Sequence, residues 1–276
     1  MPSSTILRVP QGVGDIFWCY QKVAPYVDCI NFEIAYTGKL TEVSRRAEQF
    51  LHTWPQTGTV KMVPVGSKEY KDIWQSTPDS PYPRKERGVY AVNAALEAGT
   101  RLEDIHDGAK VEWGVPLIME PVDLPDKYVC LYVSGNAKRQ SDIRQWGIDE
   151  WYEFVMTFYD RCPHHELVII GADFDKPMVD ELEYVLEAFN PHIFVGLEPA
   201  KVMTILDKAD FFIGYQSGLG ILADNLGTPQ LMMYFQHLEK MKYTWCQPGH
   251  KNKVFWADTF DRSTRDVLGK LTWEPK

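Results

Sequence analysis

The feature that most constrains the fold is a regular alternation of short apolar segments with longer helical patterns. This alternation indicates βαβ units. Two neighbouring parallel strands need a crossover connection, and a helix between them supplies it. We therefore predict an α/β protein with parallel sheets. The predicted strands are Ile6–Val9, Ile30–Tyr36, Val60–Val65, Tyr128–Val133, Leu167–Ile170, His192–Val195, Phe211–Ile213, Gln230–Tyr234 and Val254–Trp256.

The helical patterns and the prolines predict two lobes. Glu120–Asp126 contains two prolines and three acidic residues, and we interpret it as a linker. It divides the chain into an N-terminal lobe, 1–122, and a C-terminal lobe, 123–276, with a cleft between them. The predicted helices are Asp15 to near Pro25, Thr41–Trp54 with Thr41 as N-cap, Arg87–Ala98, Ile148–Tyr159, Met178–Phe189, Pro199–Leu206, the segment after Ser217, and a last helix from about Ser263 that could pack back on the N-terminal lobe.

Composition limits the classes of function. The net charge of −9 disfavours a broad surface for nucleic acid. No apolar run reaches the ~18 residues of a membrane span, and the N-terminus lacks the pattern of a signal peptide. The 5 cysteines are scattered without a C-x-x-C pair, which disfavours disulfides and zinc. We expect a cytoplasmic protein without a transmembrane segment.

The stretch GYQSGLGILADNLGTPQ, residues 214–230, carries the strongest functional signal. It places glycines between a predicted strand and a helix, where free N–H groups and the positive end of the helix dipole favour an anion. Ser217 could add a hydroxyl, and Gly218 and Gly220 would let a ligand approach the backbone. Gly227 begins the return turn. The alternative is a tight turn without a ligand, which needs fewer glycines.

Other loops that follow predicted strands carry charged residues. Lys138, Arg139 and Arg144 follow the strand at 128–133, either as a clamp for a diphosphate or as a solvated loop. Asp173-Phe174-Asp175 could hold a divalent metal, but the pattern favours an ordinary turn and helix cap. The basic and aromatic segment Lys240–Lys253 could bind an anionic ligand or simply be solvated.

A second glycine loop, Gln11-Gly12-Val13-Gly14-Asp15, joins the first predicted strand to the first helix. Its spacing lacks the third glycine of the dinucleotide-binding fingerprint. Asp15 is either the N-cap of the helix or a carboxylate that takes a proton from a bound hydroxyl. The spacing alone favours the cap.

These motifs together resemble glycosyltransferase family 9, the ADP-heptose:lipopolysaccharide heptosyltransferase-like family. Gln216-Ser217-Gly218 followed by Leu226-Gly227-Thr228-Pro229 is similar to the family's donor-site signature, D-S-G-x-x-H-L-A-x-x-L-G-T-P. Gly14-Asp15 is similar to its G-D motif. The loop from Ala137 to Trp146, followed by Trp151, is similar to its K-x-W-P-x-x-x-W region, and Gln247 to Lys251 to its Y-G-P-R-H segment.

The resemblance implies a GT-B fold, that is, two Rossmann-like lobes with parallel sheets and a cleft between them. It implies an inverting, metal-independent transfer from a nucleotide-sugar, without a cofactor, to a hydroxyl of a saccharide, a lipid-linked sugar or another acceptor. Asp15 would be the general base. Gln216 and Ile221 stand where the family has Asp and His, which leaves the donor sugar open. The residues expected at the donor are Gly12, Gly14, Ser134, Lys138, Arg144, Gly196, Leu197, Gln216, Ser217 and Gly218, with no metal ligand.

Other functions stay open beside this one. An epimerase or hydrolase that uses a nucleotide-sugar would need no acceptor, and a protein that binds the nucleotide-sugar without turnover would need no base. A glycosyltransferase acting on modified DNA bases is a lesser alternative, because the acidic net charge disfavours it and only the basic segment Lys240–Lys253 supports it.

Overall fold

The computed structural model describes residues 4–10, 12–24, 27–36, 42–70, 114–133, 146–215, 217–234 and 254–258. The chain divides into two compact units, Met1–Ile118 and Met119–Lys276. The assignment of an acceptor side and a donor side to them stays a prediction. Within the described residues, none of the helices has both the length and the apolar character that crossing a bilayer requires.

The N-terminal unit contains a parallel, three-stranded sheet in the order β1-β2-β3. Its core lies on one face of the sheet, where the buried side chains of β2 alternate with more exposed ones, as the period of two requires. Phe17, Tyr20 and Trp54 pack there with their ring centroids 4.9 to 6.0 Å apart. The elements are β1 (Ser4–Pro10), α1 (Val13–Val23), β2 (Cys29–Tyr36), α2 (Glu42–Leu51) and β3 (Thr57–Pro64), followed by a short helical turn at Lys68–Tyr70.

The C-terminal unit contains a six-stranded sheet in the order β6-β5-β4-β7-β8-β9. Every neighbouring pair is parallel. Crossover helices lie between most consecutive strands along the chain, and β8 and β9 are separated by residues outside the described set. The elements are β4 (Tyr128–Tyr132), α3 (Ile148–Arg161), β5 (Glu166–Gly171), α4 (Lys176–Val185), β6 (His192–Val195), α5 (Pro199–Lys208), β7 (Phe211–Tyr215), α6 (Gly218–Asn225), β8 (Gln230–Tyr234) and β9 (Val254–Asp258).

The two central strands, β4 and β7, explain why this sheet is stable. Every residue of both strands is buried, as expected for strands covered on both faces. Helix α3 packs on the sheet with Trp151, Phe154, Val155 and Phe158, which recur at helical spacing and are all fully buried. The same periodicities make these elements recognisable in the sequence.

The predicted α/β class and all the predicted strands are confirmed. The predicted helix Met178–Phe189 is wrong in its bounds, because α4 ends at Val185 and a separate helical turn covers Glu187–Phe189. That turn ends at Asn190, which has a positive φ of 47°. The helix predicted at Arg87–Ala98, the cap at Thr41 and the last helix lie outside the described residues.

The segment between the units is irregular. Residues 115–125 form no helix or strand. Its two ends are tied to different units: the N–H of Ile118 donates to the Thr53 carbonyl at 2.7 Å, and the Thr204 hydroxyl donates to the Glu120 carbonyl at 2.7 Å. The boundary between the units falls between these two contacts.

Candidate functional site

The strand order of the C-terminal unit points to one position for a ligand. From β4 the chain proceeds outward to β5 and β6, and it then returns to β7 beside β4 and proceeds the other way. The carboxyl ends of β4 and β7 therefore flank a topological switch point, where open α/β sheets bind their ligands. Tyr132 is the last residue of β4 and Tyr215 the last residue of β7.

The helix α6 starts directly at this point, two residues after β7. Ser217 is its N-cap, with φ −150° and ψ 173°, but its side chain makes no capping hydrogen bond. The Ser217 hydroxyl oxygen is buried, and it has no hydrogen-bond partner within the described part of the chain. The N–H groups at the start of a helix and its dipole favour an anion. The combination of an uncapped helix start and an unused buried hydroxyl suits a phosphate group.

The glycines of this segment have different roles. The sequence suggested that Gly220 lets a ligand approach the backbone, and this interpretation was wrong. Gly220 is buried on the side of α6 that faces β8, where an added Cβ would collide with the end of the Met232 side chain. Gly214 lies inside β7, where a Cβ would meet the Tyr132 carbonyl oxygen at 3.2 Å. Both glycines permit close packing between elements of the protein. Gly218, the first residue of α6, is the one placed at the switch point.

The predicted return turn after α6 is confirmed. The N–H of Gly227 donates to the Asp224 carbonyl and that of Thr228 to the Ala223 carbonyl, both at 3.0 Å, which is the Schellman pattern of a helix end. The Thr228 hydroxyl donates to the Leu206 carbonyl at 2.7 Å and joins the turn to α5. This turn holds the far end of α6.

The loops after β5 and β6 meet at the same edge of the sheet. The N–H of Gly196 donates to the Gly171 carbonyl at 2.9 Å, and the Asp173 carboxylate lies against the α-carbon of Gly196. Gly196 has φ +73° and no room for a Cβ, so only glycine fits. Leu197 follows and is half-buried.

Asp173 and Asp175 form an ordinary helical turn, as the sequence indicates. The N–H of Ala172 donates to the Asp175 carboxylate at 2.9 Å, which closes the turn before α4. Among the described residues, no group of three His, Cys, Asp or Glu side chains could hold a metal ion. The Asp175 carboxylate therefore has a structural role in this turn.

Tyr215 is a residue of this edge that the sequence did not reveal as part of the site. Its hydroxyl accepts a hydrogen bond of 2.6 Å from the backbone N–H of Trp146, the first described residue after the cationic segment 134–145. The Tyr215 ring is perpendicular to that of Trp151, with centroids 5.9 Å apart, and Trp151 contacts Trp146 at 4.9 Å. Burial raises the pKa of Tyr215 well above its usual range. The only signal in the sequence was a side chain with a polar hydroxyl, Tyr215, at the end of an otherwise apolar strand.

In the N-terminal unit, Asp15 is not the N-cap of α1, and that interpretation was wrong. The helix starts at Val13, and its N-cap is Gly12, whose φ of 156° and ψ of 110° favour glycine. Asp15 is the third helical residue, where a carboxylate is stabilised by the helix dipole. Its side chain lies outside the described part of the structure. Gly14, in the same turn, is buried.

Six of the residues expected at the donor lie near the carboxyl ends of strands. Of the residues expected at the donor, Gly196, Leu197, Ser217 and Gly218 lie at the carboxyl edge of the C-terminal sheet. Gly12 and Gly14 lie at the carboxyl end of β1 in the other unit. The residues outside the described set are Ser134, Lys138, Arg144, Gln216 and the segment Lys240–Lys253.

Comparison with known proteins identifies the fold. No family model and no curated protein matches the sequence. Among solved structures, a glycosyl transferase family 9 protein from Veillonella parvula DSM 2008 superposes with a TM-score of 0.57 at 10% identity, covering 97% of this chain and 96% of that one. The fold is that of the GT-B glycosyltransferases.

Two further structures agree over the whole length. The ADP-heptose lps heptosyltransferase II of E. coli has a TM-score of 0.57 at 13% identity, covering 96% of this chain and 97% of its own. The E. coli heptosyltransferase WaaC with ADP-2-deoxy-2-fluoro heptose has a TM-score of 0.55 at 13% identity, covering 96% and 98%. At these identities the shared property is the GT-B fold.

Proposed function

We propose that this protein is a glycosyltransferase that moves a sugar from a nucleotide-sugar donor to an acceptor hydroxyl. The observation that carries the proposal is the N-terminus of α6, where the buried Ser217 hydroxyl makes no hydrogen bond to the described part of the protein and does not cap the helix. A helix start of this kind at a switch point suits the diphosphate of a nucleotide-sugar. The GT-B fold supports the same class of enzyme.

The donor's parts are assigned to separate strand ends. Ser217 and the N–H of Gly218 would bind a phosphate, and the pair Gly196–Leu197, two strands away from β4, would face the nucleobase. Lys138 and Arg144 would hold the departing diphosphate, because a fixed cation stabilises the charge that develops there. Ser134, Gln216, Gly12 and Gly14 complete the proposed donor contacts.

Asp15 is proposed as the general base. It would accept the proton of the acceptor hydroxyl while that oxygen attacks the anomeric carbon, and the bond from this carbon to the diphosphate breaks. The products are the glycoside with inverted configuration and the nucleoside diphosphate. The third position of α1 suits this role, because the helix dipole stabilises the ionised carboxylate that accepts a proton.

The mechanism is proposed to need no metal. Charge on the leaving group would be stabilised by the start of α6 and by Arg144 and Lys138. We expect full activity after treatment with EDTA. Inhibition by EDTA that Mn²⁺ reverses would contradict this part of the mechanism.

The test of the proposed function is a panel of nucleotide-sugars in a thermal-shift assay. A ligand that binds the folded protein stabilises it, by about 2.7 kcal/mol at a hundredfold excess over its Kd. We expect at least one donor to raise the melting temperature. We also expect turnover of that donor only when an acceptor is added. Turnover without acceptor would indicate an epimerase or hydrolase, and binding without any turnover a non-catalytic protein. No stabilisation by any donor would refute the donor site.

A further inference from the structure

We propose that the outer faces of α3 and α4 form a docking surface for a basic, amphipathic segment of another protein. The docking surface consists of three exposed apolar side chains, Tyr152, Met156 and Tyr184, and of the acidic residues of the same two helices. None of these residues belongs to the candidate site for the nucleotide-sugar. The proposal therefore goes beyond the proposed function and does not depend on it.

The strand order places the two helices side by side. The connections from β4 to β5 and from β5 to β6 proceed in the same direction across the sheet. Crossover connections between parallel strands are right-handed, so both helices lie on the same face of the sheet. The helices contact each other, and the Tyr159 ring of α3 stacks on the Phe189 ring after α4 with a centroid distance of 4.9 Å. The two outer faces thus adjoin each other.

Apolar side chains are exposed on this surface. Tyr152 is 41% exposed, Met156 37% and Tyr184 81%. Tyr152 and Met156 are four residues apart and therefore share one side of α3. Single exposed apolar residues are ordinary, but a group of them marks an interaction site. Tyr and Met are enriched in protein interfaces, so these side chains suit anchors for a partner.

The charge around these side chains selects the kind of partner. Residues 148–161 and 176–189 together contain eight acidic side chains, one Arg and one Lys, so they carry a net charge of −6 out of −9 for the whole chain. Lys176 forms an ion pair with Asp180 at 2.6 Å on the surface of α4. A segment that carries Lys or Arg beside apolar side chains complements this surface. The acidic residues are Asp149, Glu150, Glu153, Asp160, Asp180, Glu181, Glu183 and Glu187, and all except Glu150 are exposed.

The same charge disfavours other occupants of the surface. Nucleic acids and anionic lipid membranes are negatively charged and would be repelled. A second copy of this chain that used the same surface across a twofold axis would bring two acidic surfaces together. A basic segment of a different protein is the occupant that meets both the apolar and the charged part of the surface.

The inner faces of the helices hold the docking surface in place. Trp151 and Phe154 of α3 and Val179 and Leu182 of α4 are fully buried against the sheet. A surface supported by a packed core loses little conformational freedom when a partner binds, which lowers the cost of binding. Because the exposed side chains do not contribute to this core, their substitution should leave the fold intact.

The experiment uses a panel of short fluorescent peptides in which Lys alternates with Leu, Phe or Trp, and a matched panel in which Glu replaces Lys. Fluorescence anisotropy measures their affinities, and NMR of isotope-labelled methionine methyl groups locates the contact. We expect binding of Lys peptides that weakens as salt is added, and no binding of Glu peptides. The methyl resonance of Met156 should shift on binding. That of Met119, which is 39% exposed in the segment between the units, should not.

Two variants test the apolar part of the surface. Tyr184→Ser should weaken the binding of the Lys peptides about tenfold, because it removes an anchor. Val65→Ser removes an apolar side chain that is 41% exposed in the N-terminal unit, and it should leave the affinity unchanged. The melting temperatures of both variants should stay close to that of the wild-type protein.

Two double variants test the charged part. Glu153→Gln with Glu183→Gln should weaken the binding of the Lys peptides about three- to tenfold and make its salt dependence shallower. Asp123→Asn with Asp126→Asn removes the same net charge from the exposed residues before β4, and it should leave the affinity nearly unchanged. This comparison separates the docking surface from the general acidity of the protein.

Several results would overturn the docking surface while leaving the proposed function intact. These are no binding of any Lys peptide, equal binding of Lys and Glu peptides, an equal shift of the Met119 and Met156 resonances, and equal losses in the surface variants and their controls. Self-association of the protein that Tyr184→Ser abolishes, without binding of Lys peptides, would also overturn it, because the surface would then be a contact between copies of this chain.

Discussion

Replacing Ser217 with alanine should affect stability and binding in opposite directions. An N-cap Ser→Ala change usually costs about 0.5–2 kcal/mol, because a capping hydrogen bond is lost. Ser217 makes no such bond, and its buried hydroxyl has no partner among the described residues. Leaving a hydroxyl buried and unsatisfied costs about 1–3 kcal/mol, so its removal should stabilise the free protein by roughly 1 kcal/mol.

The same change should weaken the binding of the nucleoside diphosphate. A hydrogen bond from a hydroxyl to a charged phosphate contributes about 1.5–3 kcal/mol, which is an increase in Kd of about 10- to 100-fold. The melting temperature of free Ser217→Ala should rise by about 2–4 °C, while its Kd for the preferred nucleoside diphosphate increases. Differential scanning calorimetry and titration calorimetry measure the two quantities on the same sample.

Thr228→Val is the matched control at the other end of α6. The Thr228 hydroxyl is buried and does donate a hydrogen bond, to the Leu206 carbonyl at 2.7 Å. This variant should lower the melting temperature and leave the affinity unchanged. If Ser217→Ala instead lowered the melting temperature by as much as Thr228→Val and bound the diphosphate like the wild-type protein, the hydroxyl would be a structural cap and our reasoning would be refuted.

Three further results are expected. Asp15→Asn should lower transfer by about 10²- to 10⁴-fold and leave donor binding nearly intact, whereas unchanged steady-state rates would remove Asp15 as the base. Gly220→Ala should change the free energy of unfolding by less than about 1 kcal/mol in urea titrations, because the flexible end of the Met232 side chain can shift and alanine favours the helix; a loss of several kcal/mol would contradict this. Burial lowers the pKa of His165 despite Asp210 nearby, so stability should fall as pH drops below about 6.5; His165→Gln should show a smaller fall between pH 7.5 and 5.5.

The sign of the pH effect follows from the protonation of the two states. Below about pH 6.5, His165 binds a proton in the unfolded chain more readily than in the folded chain. Acid therefore favours unfolding. Burial is the main cause of this resistance, and the negative charge of Asp210 opposes it only in part. A pH dependence of the urea midpoint that is identical in the wild-type protein and in His165→Gln would show that this histidine does not contribute.

The strands of the protein could be predicted because their signal is local. Tyr128–Tyr132 and Phe211–Tyr215 are continuous apolar segments, and the structure buries both completely. The order of the strands could not be predicted in the same way, because it depends on pairings between distant segments. The switch point between β4 and β7, which locates the site, was therefore visible only in the structure.

The errors in the sequence interpretation have physical causes as well. Asp15 matches the preference for an N-cap, but Gly12 takes that place because its backbone conformation starts the helix earlier. Gly220 was assigned to the ligand because its packing partner, Met232, lies on a different strand. Tyr215 was missed because its hydrogen bond to Trp146 spans 69 residues. The contacts of Gly220 and Tyr215 are with residues distant in sequence, so spacing along the chain does not reveal them.

The central claim is that the carboxyl edge of the C-terminal sheet binds the diphosphate of a nucleotide-sugar. A crystal structure with a bound nucleoside diphosphate tests it most directly. We expect phosphate oxygens within about 3 Å of the Ser217 hydroxyl and of the N–H groups that begin α6, with the nucleobase near Gly196 and Leu197. A diphosphate bound at the amino edge of the sheet, or one that leaves the Ser217 hydroxyl without a contact, would contradict the account.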